Sequence, residues 1–162
     1  MEQVNHFISN YGYIGIIFSQ ILGTIGLPIP DSTVMLLVGY FTRIGTLQYI
    51  FALLVSIAGV FGNILISYSI GKRAGRPLIG RFGKWFGLKE SRILKVEKWM
   101  NKFGPWTILI GYFIPGMRQI TCYLSGISRM KLKTVCIFGL LTAVVWCSIF
   151  ITVGRLFGTY VK

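Results

Sequence analysis

The stretch WTILIGYFIPGMR, residues 106–118, is apolar at its start, breaks at Pro115-Gly116 and ends on an arginine. From Trp106 to Phe113 there are 8 residues, about 12 Å of helix, against a membrane core about 30 Å thick. An arm that short has to turn back. An earlier stretch repeats the design. Ile14 to Gly26 is 13 residues, about 20 Å of helix, and it stops at Leu27-Pro28-Ile29-Pro30-Asp31-Ser32. Broken backbone at membrane depth is tolerated only where protein or water satisfies the freed amides and carbonyls, so two such hairpins imply an internal cavity at their tips. The alternative is a pair of ordinary transmembrane helices kinked by proline.

Lipid is the solvent that the composition calls for. The chain has 162 residues, 54% of them hydrophobic, and a mean hydropathy of +0.68, more apolar surface than one small soluble core buries. A spanning helix needs about 20 apolar residues, and Leu47 to Gly71 and Leu132 to Gly154 supply them. The formal charge of +13 would suggest nucleic acid in a soluble protein. Ten of the 17 basic residues, however, lie between Lys72 and Lys102, and a juxtamembrane basic cluster follows membrane topology and attracts anionic headgroups. Nucleic acid is therefore not expected as a partner.

The N-terminus, MEQVNHFISN, has no positive leader region, so the first apolar segment is expected to stay in the protein. Cys122, Cys136 and Cys147 sit in apolar runs without metal or redox spacing, and His6 stands alone. No metal, cofactor or catalytic nucleophile is expected, and an enzyme reading has little support.

The two halves look alike. A proline hairpin is followed by Gly39 or Gly126, then by a basic turn with Arg43 or Arg129. A long span comes next, closing on Gly71-Lys72-x-x-Gly75 or Gly154-Arg155-x-x-Gly158. The expected fold is therefore an all-α integral membrane protein, one membrane domain over residues 1–162. It is an inverted repeat of a re-entrant hairpin plus a transmembrane helix, with the first repeat at about 11–75, a basic amphipathic linker at about 76–102 and the second repeat at about 103–158. In the linker, Ile93, Val96, Trp99, Met100 and Phe103 recur at helical spacing opposite Lys89, Arg92, Lys95, Lys98 and Lys102, as in a helix lying in the headgroup layer. Glycine-rich faces such as Gly59-Val60-Phe61-Gly62 suit close helix packing within one chain or in a homodimer.

Glu2, Glu90 and Glu97 lie in polar segments, which leaves Asp31 as the one carboxylate in a predicted hairpin and Arg118 as its counterpart in the other. An ionisable group inside a membrane is a functional-site candidate by default. A guanidinium offers a planar fork suited to phosphate and stays charged. Two plainer roles compete: Asp31 and Arg118 pair to hold the hairpin tips together, or Asp31 and Ser32 cap a helix beginning at Thr33.

Gly111-Tyr112-Phe113-Ile114-Pro115-Gly116-Met117-Arg118 with Ser125-Gly126, and Pro28-Ile29-Pro30-Asp31-Ser32 with Gly39, resemble the signature of the DedA family, which is related to the VTT or SNARE-associated domain. The resemblance runs from about Tyr11 to Gly158. It implies two opposed re-entrant hairpins, turning at Pro28, Pro30, Pro115 and Gly116, in a multi-pass protein of the bacterial cell membrane. It also implies translocation of a lipid between leaflets, without covalent chemistry and often with a proton requirement. Many members carry a glutamate where this chain has Gln20, an arginine where it has Tyr112, and an acid where it has Asn63. Amides do not titrate in the physiological range, so a proton relay is weakened here. The expected substrate is a phospholipid, phosphatidylethanolamine first, its phosphate on Arg118 and its amine on Asp31, with Ser32, Tyr112, Gln20 and Asn63 lining the groove. Undecaprenyl phosphate is the alternative lipid. A proton- or cation-coupled transporter and a non-transporting membrane scaffold are the alternative functions.

Overall fold

The computed structural model describes residues 12–20, 31–82, 90–114 and 117–160. The hairpin turns expected at Pro28, Pro30, Pro115 and Gly116 lie outside the described residues, as does the side chain of Asp31. Residues 12–20 are helical (α1). They are followed by α2 (Asp31–Arg43), α3 (Tyr49–Phe82), α4 (Glu90–Phe103), α5 (Trp106–Tyr112), α6 (Arg118–Ile127) and α7 (Leu132–Tyr160). The described residues contain no strand.

Two helices are long and apolar enough to cross a membrane, Tyr49–Arg73 within α3 (25 residues) and Leu132–Gly158 within α7 (27 residues). Their surfaces suit lipid. Ile50, Phe51, Leu54 and Ile66 on α3, and Ile137, Leu140, Leu156 and Phe157 on α7, are all exposed. A soluble core helix would turn such side chains inward, whereas a lipid-facing helix has no reason to. Past Arg73, α3 breaks at Gly75, whose φ of 60° and ψ of −163° are open to glycine at little cost. The remaining arms are short. α5 has 7 residues and α6 has 10, about 10 and 15 Å of helix, so neither reaches across a bilayer. α2 is described from Asp31 on, directly after residues outside the described range, so the expected capping by Asp31 and Ser32 falls at its edge.

The chain divides into two compact units. One holds α1, α2, α3 up to Val60 and α7 from Ala143; the other holds α3 from Phe61, α4, α5, α6 and α7 up to Thr142. Each unit contains a helix crossing in which glycine meets main chain, and four of the six glycines picked out by the sequence repeat make both. In the first unit, a Cβ on Gly39 would overlap the Ile151 carbonyl oxygen and one on Gly154 would overlap that of Leu36. In the second, a Cβ on Gly126 would overlap the Tyr68 oxygen and one on Gly71 that of Tyr123. In every case the carbonyl belongs to the residue three before the facing glycine. Such crossings suit a membrane, where close backbone packing takes over from the hydrophobic effect in holding helices together.

Helix α4 forms where its periodicity places it, and part of its apolar face is covered by protein. Ile93 and Val96 are buried against Met117, Ile120 and Leu124 of the α6 segment, with Trp99, Met100, Ile114 and Ile127 around them. Ile93 and Val96 thus pack on protein, while Phe103 at the end of the stripe stays exposed. Lys95, Lys98 and Lys102 remain exposed. Val96→Asp, which sets a carboxylate into this cluster, is expected to cost about 3 kcal/mol or more and to lower the thermal midpoint in detergent. An unchanged midpoint would mean that α4 does not depend on α6.

Candidate functional site

Helices α5 and α6 form a packed pair. The Met117 N–H donates to the Ile114 carbonyl at 3.0 Å, and a Cβ on Gly111 would overlap Thr121 Oγ1, so α5 needs a glycine there to lie against α6. Every residue from Ile120 to Gly126 is buried. The arm keeps its hydroxyls satisfied internally: Thr121 donates to the Met117 carbonyl at 2.8 Å and Ser125 to that of Cys122 at 2.7 Å. A helix surrounded by apolar material has few other acceptors for those groups.

Arg118 is the first residue of this buried arm and is itself half-buried. Its guanidinium carbon lies 5.0 Å from the centroid of the Tyr112 ring, the last residue of α5, which is only 4% exposed. That is cation–π distance, and it strengthens as water is withdrawn. A guanidinium's donors lie in one plane, the geometry that a two-oxygen phosphate contact uses. The first turn of α6 contains no acidic residue and no side-chain cap. Its leading N–H groups and the positive end of the helix dipole therefore add to the charge of Arg118.

A second polar group in this unit lies on α3. Asn63 is 5% exposed and accepts a hydrogen bond from Ser67 at 3.3 Å, and Ser67 is also in hydrogen-bond contact with Tyr123 of α6. Asn63 was singled out by the sequence; Ser67 and Tyr123 were not. The spacing of Asn63 and Ser67 is legible along a helix, but the contact with Tyr123 exists only because the Gly71–Gly126 crossing brings α6 onto α3.

The remaining expected residues belong to the other unit. Gln20 is fully buried on α1, and a Cβ on Gly59 would stand 3.3 Å from its Cγ, so the amide stem lies along the glycine face of α3. Asp31 heads α2, and Ser32 beside it is exposed. Arg118, Tyr112 and Asn63 thus share one unit, and Gln20, Asp31 and Ser32 share the other.

Two long apolar helices with exposed apolar surfaces, and short buried arms beside them, suit an integral membrane protein. The chain belongs to the VTT-domain family, the DedA proteins, whose model matches residues 29–156. It is 52% identical over 158 residues to the membrane protein YbfM of Bacillus subtilis (strain 168), covering 98% of each chain. It is 28% identical to undecaprenyl phosphate transporter A of the same organism, over 98% of this chain and 78% of that one. The inner membrane protein YohD of Escherichia coli (strain K12) is 30% identical, over 93% of this chain and 73% of that one. No solved structure matches. The family includes proteins named as transporters, and this chain shares their membrane character.

Proposed function

We propose that this protein moves a phosphate-bearing lipid headgroup between leaflets, with Arg118 as the phosphate ligand. The observation that carries the reading is the placement of Arg118. It is a permanent cation at the dipole-positive end of a buried helix too short to span, held against an aromatic ring. An arginine in that setting lowers the cost of bringing a phosphate into a medium that would otherwise reject it. Relatives named as undecaprenyl phosphate transporters support a lipid phosphate as the cargo.

The architecture that goes with this function is an inverted repeat, each half a re-entrant hairpin followed by a span, with the second half entering from the opposite side. Two observations support it: α5 and α6 are too short to cross, and the glycine-over-carbonyl contact recurs with the same three-residue offset in both units. Each crossing joins the arm of one repeat to the span of the other.

Two cargoes fit a phosphate ligand. Undecaprenyl phosphate needs the cation alone. Phosphatidylethanolamine also offers an ammonium, for which Asp31 is the matching carboxylate, and the neutral residues Gln20, Tyr112 and Asn63 keep the net charge low enough for a zwitterion. The deciding experiment is a leaflet-specific assay in proteoliposomes containing either lipid. Asp31→Asn is expected to slow phosphatidylethanolamine about tenfold and the polyprenyl phosphate little, since losing a charge contact worth about 1.4 kcal/mol is a factor of ten. Equal slowing of both would remove the amine role, and movement of neither lipid by the unaltered protein would remove the proposal.

A further inference from the structure

The turn between α6 and α7 contains an arginine in a backbone position made for glycine. Arg129 has a φ of 50° and is the one non-glycine residue with positive φ among the described residues. The geometry around it is a Schellman helix end. The Arg129 N–H donates to the Gly126 carbonyl at 3.0 Å, and the Met130 N–H reaches back to Ser125 at 3.1 Å. Helix α2 ends with the same long reach, Thr46 N–H to the Phe41 carbonyl at 3.1 Å, and there the residue at the left-handed position is Gly45, with a φ of 79°. The fold thus solves one problem twice, once with the unstrained residue and once with an arginine whose Cβ crowds its own backbone. A strained residue that persists where glycine would serve points to a use for its side chain.

The surroundings identify that use. Arg129, Lys131 and Lys133 are all exposed along the turn. The turn is tied to α3, because the Tyr68 hydroxyl donates to the Met130 carbonyl at 2.7 Å, and the Lys72 ammonium sits 5.7 Å from the centroid of that same Tyr68 ring. A Cβ on Gly126 would also stand 2.7 Å from the Lys72 backbone nitrogen, so Lys72 and the start of the turn are neighbours. Arg73 follows, exposed. No acidic residue occurs anywhere from Lys98 to Lys162, so the turn brings no carboxylate of its own to neutralise this cluster.

We propose that Arg129, Lys131 and Lys72 form a surface site for the headgroup of an anionic phospholipid, separate from Arg118 and serving to hold the protein in an anionic leaflet rather than to carry cargo. Basic clusters where a membrane helix leaves the bilayer attract anionic lipid, and a guanidinium held out on a rigid turn gives such a site a fixed centre.

The full chain is tested in nanodiscs of phosphatidylcholine alone and of phosphatidylcholine with phosphatidylglycerol, reading the thermal midpoint. The unaltered protein is expected to gain several degrees from phosphatidylglycerol. Arg129→Gly relieves the turn and is expected to raise the midpoint in phosphatidylcholine by about 2–4 °C, while losing at least half of the phosphatidylglycerol-dependent gain. Arg129→Asn, which also tolerates the left-handed region, should behave in the same way, and Arg129→Lys should keep the gain. Retention of the full gain by Arg129→Gly or Arg129→Asn would overturn the proposal. So would an equal rise produced by millimolar inorganic phosphate in phosphatidylcholine, which would mark a free-anion site instead of a lipid one.

Discussion

Arg118→Ala is expected to slow lipid movement in proteoliposomes by about 30-fold or more while leaving the protein folded. Removing one partner of a buried, hydrogen-bonded charge contact costs about 2–5 kcal/mol, and each 1.4 kcal/mol is a factor of ten. The structural loss is smaller. Arg118 is half-buried, and its ring contact with Tyr112 is worth about 0.5–2 kcal/mol, so the variant should still elute as a single species with a modestly lower melting point. Arg118→Lys separates charge from shape. It keeps a cation but loses the planar fork, and an intermediate rate is expected. A rate for Arg118→Ala equal to that of the unaltered protein would take the arginine out of the transport path altogether.

The second large effect is on the fold. Gly126→Ala is expected to cost about 1–3 kcal/mol, and Gly126→Leu to prevent α6 from seating at all, because the new Cβ meets the Tyr68 carbonyl oxygen and that atom is fixed by its own helix. Gly71→Ala should cost about as much, through Tyr123. The double variant should cost less than the sum, since helices already pushed apart by the first methyl receive the second more easily. Gly62→Ala is the control. Nothing stands within 4 Å of its Cβ position, and replacing a helical glycine by alanine there should raise the melting point slightly. Melting curves in one detergent decide among these; a Gly126→Leu protein that melts with the unaltered one would mean that the crossing is not tight.

Much of this was written along the chain. The spans read as Leu47 to Gly71 and Leu132 to Gly154 are found as Tyr49–Arg73 and Leu132–Gly158, because a long apolar run in lipid has one backbone solution. Of the glycines that marked the repeat, Gly39, Gly71, Gly126 and Gly154 are at the crossings, while Gly75 sits at the break in α3 and Gly158 meets only side chains. Their partners were not legible: a glycine in a sequence announces a close approach, and only the crossing angle says which carbonyl approaches. The same gap separates expectation from finding at α4. A helical stripe of Ile93 and Val96 says that one face wants to leave water, and lipid and protein answer that demand equally well; α6 supplies the answer. At the site, Arg118 and Tyr112 stood out as a charge and an unusual neighbour, but their cation–π approach requires the two helices to fold back on each other. Arg129 gave no warning, since arginine in a basic turn is ordinary and only its φ is not.

The glycine crossings also bear on how this sequence can vary. At Gly111 the obstacle is the side chain of Thr121, and a smaller residue there clears space for a methyl on the facing helix. At Gly39, Gly71, Gly126 and Gly154 the obstacle is main chain, which a point substitution leaves where it was. Those four positions have no neighbour with which to co-vary. A lineage that loses one of these glycines can regain the crossing by reverting the change, and no single exchange of a facing side chain offers a second route.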